Sequence, residues 1–336
     1  MKKIIFVILL FVNSNLFCQS AADYFNEGLV KTKLKDYTGA ISDFNKAIEL
    51  HSSSSIPYFY RGLAKLNLHD YIEAISDFNK AIEIEPKDAK SYLLRGDAKL
   101  KLGDYKGAIS DFNKAIEIEP KDAKSYLLRG DAKLKLGDYK GAITDFNKAI
   151  EIEPKDADAY LNRGEAKAKL KDYRGAIEDY NNAIEIDSKN TDAYFNRGIA
   201  KGVLEDFRGA ISDFSKSIEL DTTDADSYFN RGYTKYGLKD YLGAIADYNK
   251  AIEINPNYAK AYYERGDIKG ALEDYRGSIA DFNKAIEINP KYAIAYFKRG
   301  IAKVVLGEKD FGCLDLSKAG ELGEFKAYEA IKKFCN

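Results

Sequence analysis

Residues 89–122 read AKSYLLRGDAKLKLGDYKGAISDFNKAIEIEPKD, and residues 123–156 repeat them with one change, Ser110 against Thr144. Apolar and small residues recur there at spacings of three and four in two blocks, first Ala89, Tyr92, Leu93, Gly96 and Leu100, then Ala108, Ile109, Phe112, Ala115 and Ile116. Each block therefore lies along one face of an amphipathic α-helix. Between them Gly103-Asp104 supplies a helix stop and then an N-cap whose carboxylate accepts the free amides of the next helix. Pro120 ends the second helix and Asp122 caps the first helix of the following unit. One unit is predicted to be a helix-turn-helix hairpin.

The pattern extends in both directions. Gly28, Gly62, Gly96, Gly130, Gly164, Gly198, Gly232, Gly266 and Gly300 stand 34 residues apart, which sets nine units at 21–54, 55–88, 89–122, 123–156, 157–190, 191–224, 225–258, 259–292 and a divergent 293–326. Glycine inside a helix costs about 1 kcal/mol relative to alanine, so the Gly96 and Gly107 columns together cost on the order of 10 kcal/mol. Close crossing of helices is the expected compensation for both columns, with Tyr92, Tyr105 and Phe112 filling the adjacent space.

These residues resemble the tetratricopeptide repeat, whose 34-residue unit carries an aromatic, Gly, Tyr, Ala-x-x-x-Phe or Tyr, Ala and Pro. Here they are Tyr92, Gly96, Tyr105, Ala108, Phe112, Ala115 and Pro120, recurring over about nine tenths of the chain. The resemblance implies an all-α, right-handed superhelical solenoid of helix-turn-helix repeats that binds a protein or peptide partner. The chain departs from the family where Arg95 and its equivalents replace the usual Leu, where Lys99 replaces an aromatic, and where His51 to Ser55 replace the Pro-containing turn of the first joint. That joint is expected to be looser.

The two ends differ from the array. Met1 to Ser20 hold Lys2 and Lys3, an apolar run from Ile4 to Val12 and a more polar stretch, the layout of a secretory signal peptide. The run is too short to span a bilayer, so residues 1–20 read as a removable leader, with no transmembrane span in the mature chain and a periplasmic or cell-envelope location. Lipid attachment at Cys18 is the weaker alternative, since Phe17 stands where a small residue is wanted. At the other end, residues 324–336 form a helix expected to cap the last apolar face, and the segment resembles the C-terminal caps of exported bacterial relatives. If the helices of Cys313 and Cys335 form an antiparallel hairpin about residues 320–323, the thiols fall within about 6 Å along the axis. A disulfide and two buried free thiols are both open, an exported setting favouring the bridge.

Charge excludes one class of partner. Lys plus Arg number 52 against 53 Asp plus Glu, and loss of Lys2 and Lys3 with the leader takes the net charge from −1 to −3. No basic excess is available to neutralise nucleic-acid phosphates. Catalysis also lacks its residue types. His51 and His69 are the only histidines, no phosphate loop or nucleophile motif occurs, and Asp221, Asp224 and Asp226 lack the Gly and closing Glu of a calcium loop. The chain is read as a non-catalytic scaffold with no cofactor and no metal.

Two columns compete for a functional role. The Arg95 column reads as ion-paired with the Asp111 column rather than as an anion-binding stripe. One residue earlier stand Asn26, Tyr60, Leu94, Leu128, Asn162, Asn196, Asn230, Glu264 and Lys298. In the family the first helices line the concave surface, and an Asn at this place contacts a ligand's backbone, since an amide offers both a donor and an acceptor. Asn162, Asn196 and Asn230 are then three rungs of a ladder, in a trough with Phe195, Ile199, Phe229, Tyr233 and Tyr236, rimmed by Asp192 and Asp226. The alternatives are solvated Asn rungs and core phenylalanines. The family's carboxylate clamp is not reproduced, because Leu93 with Asp97 and Phe195 with Ile199 occupy its turns. The competing function is a structural spacer or assembly subunit of a cell-envelope complex, meeting partners by its ends or convex face.

Overall fold

The computed structural model describes residues 19–335. The leader expected at residues 1–20 and the acylation site weighed at Cys18 fall outside it, apart from Gln19 and Ser20. The fold is an all-α repeat solenoid, with nineteen helices among the described residues, none long and apolar enough to cross a membrane. It divides into two compact units at Ile152 and Glu153.

The first unit stacks four hairpins: α1 (Ala21–Lys33) with α2 (Tyr37–Leu50), α3 (Ser55–Asn67) with α4 (Tyr71–Ile84), α5 (Ala89–Lys101) with α6 (Tyr105–Ile118), and α7 (Ala123–Leu136) with α8 (Tyr139–Ile152). The second stacks five and a cap: α9 (Ala157–Lys169) with α10 (Tyr173–Ile186), α11 (Thr191–Val203) with α12 (Phe207–Leu220), α13 (Ala225–Gly237) with α14 (Tyr241–Ile254), α15 (Ala259–Ala271) with α16 (Tyr275–Ile288), α17 (Ala293–Val305) with α18 (Lys309–Glu321), and then α19 (Lys326–Phe334).

The Gly96 column does what its cost requires. A Cβ on Gly96 would lie 2.7 Å from a ring carbon of Phe112, and one on Gly198 would lie 2.9 Å from Phe214. The second helix presses its aromatic into the notch, and these rings are buried. Burying one such ring is worth about 1.5–3 kcal/mol, enough to offset the glycine.

The Gly107 column has a different cause from the one expected. A Cβ there would overlap the Asp104 carboxylate, the N-cap of α6, at 2.0 Å, and the Gly107 amide donates to Asp104 Oδ1 at 3.0 Å. These glycines make room for a cap rather than for a crossing helix. Repeat 2 carries Glu73 at this place, and its amide reaches Asp70 Oδ1 only at 3.4 Å. The turn before the cap needs a left-handed residue. Gly103 (φ 82°) and Gly137 (φ 90°) meet that need in the two near-identical repeats, whereas Lys171, Glu205, Lys239 and Glu273 adopt it in the second unit as non-glycine residues.

The arginines lock the frame. Arg95 donates from Nε and Nη2 to both oxygens of Asp111 (2.9 and 2.5 Å), and its Nη1 reaches Asn79 Oδ1 on the preceding hairpin at 2.7 Å. Lys99 adds an ion pair to the same carboxylate at 2.8 Å, so it serves the seam where an aromatic would have filled it. In the second unit Arg197 joins Asp213 and Asn181 in the same way, and Arg265 joins Asp281 and Asn249. The tyrosine three residues before each arginine lies under its guanidinium, at 5.3 Å for Tyr92 and Arg95. At the first joint Ser54 makes no side-chain cap, whereas Asp88 and Asp122 both cap the helices that follow them.

Candidate partner-binding face

The first helices α9, α11, α13, α15 and α17 carry the Asn162 column along one face of the second unit. Asn162, Asn196 and Asn230 are half-buried at the same register. Asn230 Nδ2 donates to the Asp226 carbonyl one turn back at 2.8 Å. Its second amide proton and its oxygen make no further hydrogen bond among the described residues.

The single trough expected from sequence is two hollows. One cleft, of about 520 Å³, lies between α11 and α13 and is lined by Ile199, Gly202, Val203, Asn230, Tyr233 and Tyr236, together with Phe207 and the buried Phe214. A second hollow, of about 500 Å³, lies at the N-terminal ends of the same two helices and collects Asp192, Phe195, Asp224 and Asp226. Tyr233 is 54% exposed.

Phe229 belongs to neither and must be struck from the groove. It is only 3% exposed and packs in the core with Tyr248. The cause lies at the end of the same repeat, at the N-cap of α15. Tyr258 stacks on the Phe229 ring with centroids 5.0 Å apart, and Lys260 Nζ lies 5.0 Å from its centre. In the preceding repeat the residue matching Tyr258 is Asp224, a helix cap, so Phe195 stays half-open beside it. Asp226 is also engaged, accepting from the Tyr258 hydroxyl at 2.5 Å. Burial and that carboxylate hold the Tyr258 phenol well above its ordinary range.

Acidic groups surround the face. Burial and then repulsion from Asp267 raise the Glu264 carboxyl, while Lys298 pairs with Asp267 at 2.6 Å. Asp158, on α9, is raised by burial and then by Asp156, Asp187 and Asp192. In the first unit the matching face differs. Leu128 packs against the core in the Asn register, and Asp97 and Asp131 are raised by burial. Sequence reasoning missed the Gly202 opening. Its signal was the register four residues after the repeat glycine, where Leu66, Leu100 and Leu134 give way to Ala168, Gly202 and Gly270.

Cys313 and Cys335 are joined as a disulfide with Cα atoms 5.8 Å apart, tying α18 to the end of α19. No group of three or more His, Cys, Asp or Glu placed to hold a metal occurs among the described residues.

Comparisons agree with the hairpin array. A family profile described as TPR repeat matches residues 96–137, 130–171, 167–202 and 266–307, and profiles described as tetratricopeptide repeat match 24–53, 56–88, 78–110 and 225–258. No curated protein matches the chain. A tetratricopeptide repeat protein from Parabacteroides merdae superposes with a TM-score of 0.54 at 21% identity, over 74% of this chain and 99% of that one. The C-terminal part of a TPR repeat-containing protein from Cytophaga hutchinsonii gives 0.58 at 20% identity, over 70% and 97%. YrrB, a TPR protein described as having an unusual peptide-binding site, gives 0.49 at 26% identity, over 56% and 97%. The first two likenesses are likenesses of fold.

Proposed function

Since the chain belongs to the tetratricopeptide repeat family, whose members bind protein or peptide partners, we propose that this interaction scaffold holds an extended partner segment along the first-helix face of its second unit. The observation that carries the reading is the half-buried Asn column, Asn162, Asn196 and Asn230, at one register of three successive first helices. A side-chain amide can satisfy a peptide carbonyl and a peptide N–H together, whatever the partner's side chains. The hairpins are already locked by the arginine seam, so the partner alone loses conformational freedom on binding. The disulfide of Cys313 and Cys335 supports an exported, cell-envelope setting, because such bonds persist in oxidising compartments.

The test is capture of the partner from the source cells after crosslinking, followed by affinity measurements with the mapped segment. The double substitution Asn196→Ala and Asn230→Ala should weaken binding more than tenfold, about 1.4 kcal/mol. Unchanged affinity would remove the amide column from the account.

One observation favours assembly through the end instead. Phe311, Leu314, Phe325 and Tyr328 of the terminal hairpin and cap are all more than half exposed, Phe325 to 79%. Exposed aromatic and aliphatic residues concentrated at one end of the chain mark an interaction surface. On this reading Phe325→Ser would dissociate the complex while the double Asn substitution would not.

A further inference from the structure

The cleft between α11 and α13 is a missing side chain. In repeat 3 Leu100 packs with Ala108 and Phe112 in one core cluster and is 8% exposed. Repeat 6 keeps the other two as Ala210 and Phe214 but places Gly202 where the leucine stood. A Cβ on Gly202 would find only the Ala210 Cβ, at 3.9 Å. The vacated volume opens to solvent between Ile199, Val203, Tyr233 and Tyr236, within the size range of ligand clefts.

The charges at this opening do not balance. The cations of the two helices are committed to the seam: Arg197 and Lys201 to Asp213, Arg231 and Lys235 to Asp247. Glu205 lines the cleft. Glu264 and Asp267, on the next first helix, act on Tyr236 from beyond it, where Lys298 offsets Asp267. Glu205 therefore faces the cleft without a cation from either helix, and the two exposed tyrosine faces also favour a cation.

We propose that this cleft is the specificity anchor of the scaffold, taking one large apolar or aromatic side chain of an extended partner segment whose adjacent residue is Lys or Arg. The inference rests on the groove reading above and adds to it the side-chain preference that an amide column cannot supply. The partner's apolar side chain occupies the leucine's place against Phe214, and its cation meets Glu205 at the rim.

The test pans a random 12-residue peptide library displayed on phage against the full chain, then measures the selected sequences as fluorescent synthetic peptides by anisotropy. Enriched peptides should pair a large apolar residue with Lys or Arg, and exchanging that cation for Glu should weaken binding at least tenfold. Gly202→Leu should weaken it at least tenfold with a thermal midpoint no lower than that of the unaltered chain. Tyr233→Ala, at an exposed side chain, should weaken it about fivefold and reads the cleft even if Gly202→Leu disturbs the fold. Peptides that lose affinity with Asn196→Ala and Asn230→Ala but ignore both cleft substitutions would overturn the anchor and leave the groove. Selected peptides without the apolar and basic pair would likewise overturn it. A failure to enrich any peptide would overturn groove and anchor together.

Discussion

Repeats 3 and 4 of the first unit and repeats 6 and 7 of the second are built on one frame and present different faces. Both pairs press an aromatic into a glycine notch and clamp a buried aspartate between an arginine and a lysine. On the exposed side of the first helices, repeats 3 and 4 set Leu94, Leu128, Asp97, Asp131, Lys101 and Lys135, with Leu100 and Leu134 buried beneath. Repeats 6 and 7 set Asn196, Asn230, Ile199 and Tyr233, with Gly202 where the leucine was. The residues that hold a hairpin to its neighbour are not the residues it shows to a partner, so one can stay constant while the other changes.

The strongest challenge to this separation is to the frame, which should respond equally in both places. Asp111→Ala and Asp213→Ala each leave an arginine and a lysine without their shared carboxylate in a partly buried seam, and each should cost about 3 kcal/mol. Urea unfolding of the two variants would check it, and a difference between them larger than about 1 kcal/mol would mean that the seam is not shared.

Glycines four residues apart should then act with opposite signs. Gly198→Ala forces a methyl against Phe214 and should destabilise by about 1–3 kcal/mol. Gly202→Leu regains helix propensity and fills the cleft, and should stabilise by about 1–2 kcal/mol. Thermal unfolding of both variants decides whether the cleft is open space or a strained core.

Turn residues sharpen the contrast further. Repeats 3 and 4 already use Gly103 and Gly137, whereas Lys239 holds φ at 63°. Lys239→Gly should stabilise the second unit by about 1 kcal/mol, because a side chain in the left-handed region carries a steric cost. A lowered midpoint would show that the lysine side chain makes compensating contacts.

The smallest effect concerns the acids Asp97 and Asp131, which repeats 3 and 4 carry where repeats 6 and 7 have Ile199 and Tyr233. Burial raises Asp97 and Asp131 in the folded state, so the native chain binds protons more readily there than the unfolded chain does. Stability from these groups therefore rises as pH falls through their folded values and levels off below the ordinary aspartate range. Asp97→Asn with Asp131→Asn should add about 0.5 kcal/mol at neutral pH, solvent screening keeping it small, and nothing below about pH 4. Matched unfolding curves at the two pH values measure it, and an equal gain at both would reject the titration.

The hairpins, their caps and the pairing of the arginine column were legible in residues 89–122 alone, because helix period, capping and guanidinium geometry act within a repeat or its neighbour. The Gly107 column was misread. A cost in helix propensity says that something compensates, but not that the compensating group is the carboxylate three residues earlier. The site was half legible. Asn162, Asn196 and Asn230 share a register that any helix of this pitch enforces, and Tyr233 and Tyr236 lie on the same exposed side. Phe195 and Phe229 shared a register too, and there the inference failed for Phe229, which is buried, while Phe195 lines the second hollow.

Sequence by itself determined that the chain folds into 34-residue hairpins and which side of each first helix turns from the core, since a 3.6-residue pitch leaves no choice once the apolar face is set. Tertiary structure alone decided which of those outward side chains are open. Exposure depends on what the cap at the head of the following helix lays across them: Tyr258 covers Phe229, Asp224 leaves Phe195 half-open, and the absence of a leucine at Gly202 matters only because Phe214 and Tyr233 stand around the space it vacates.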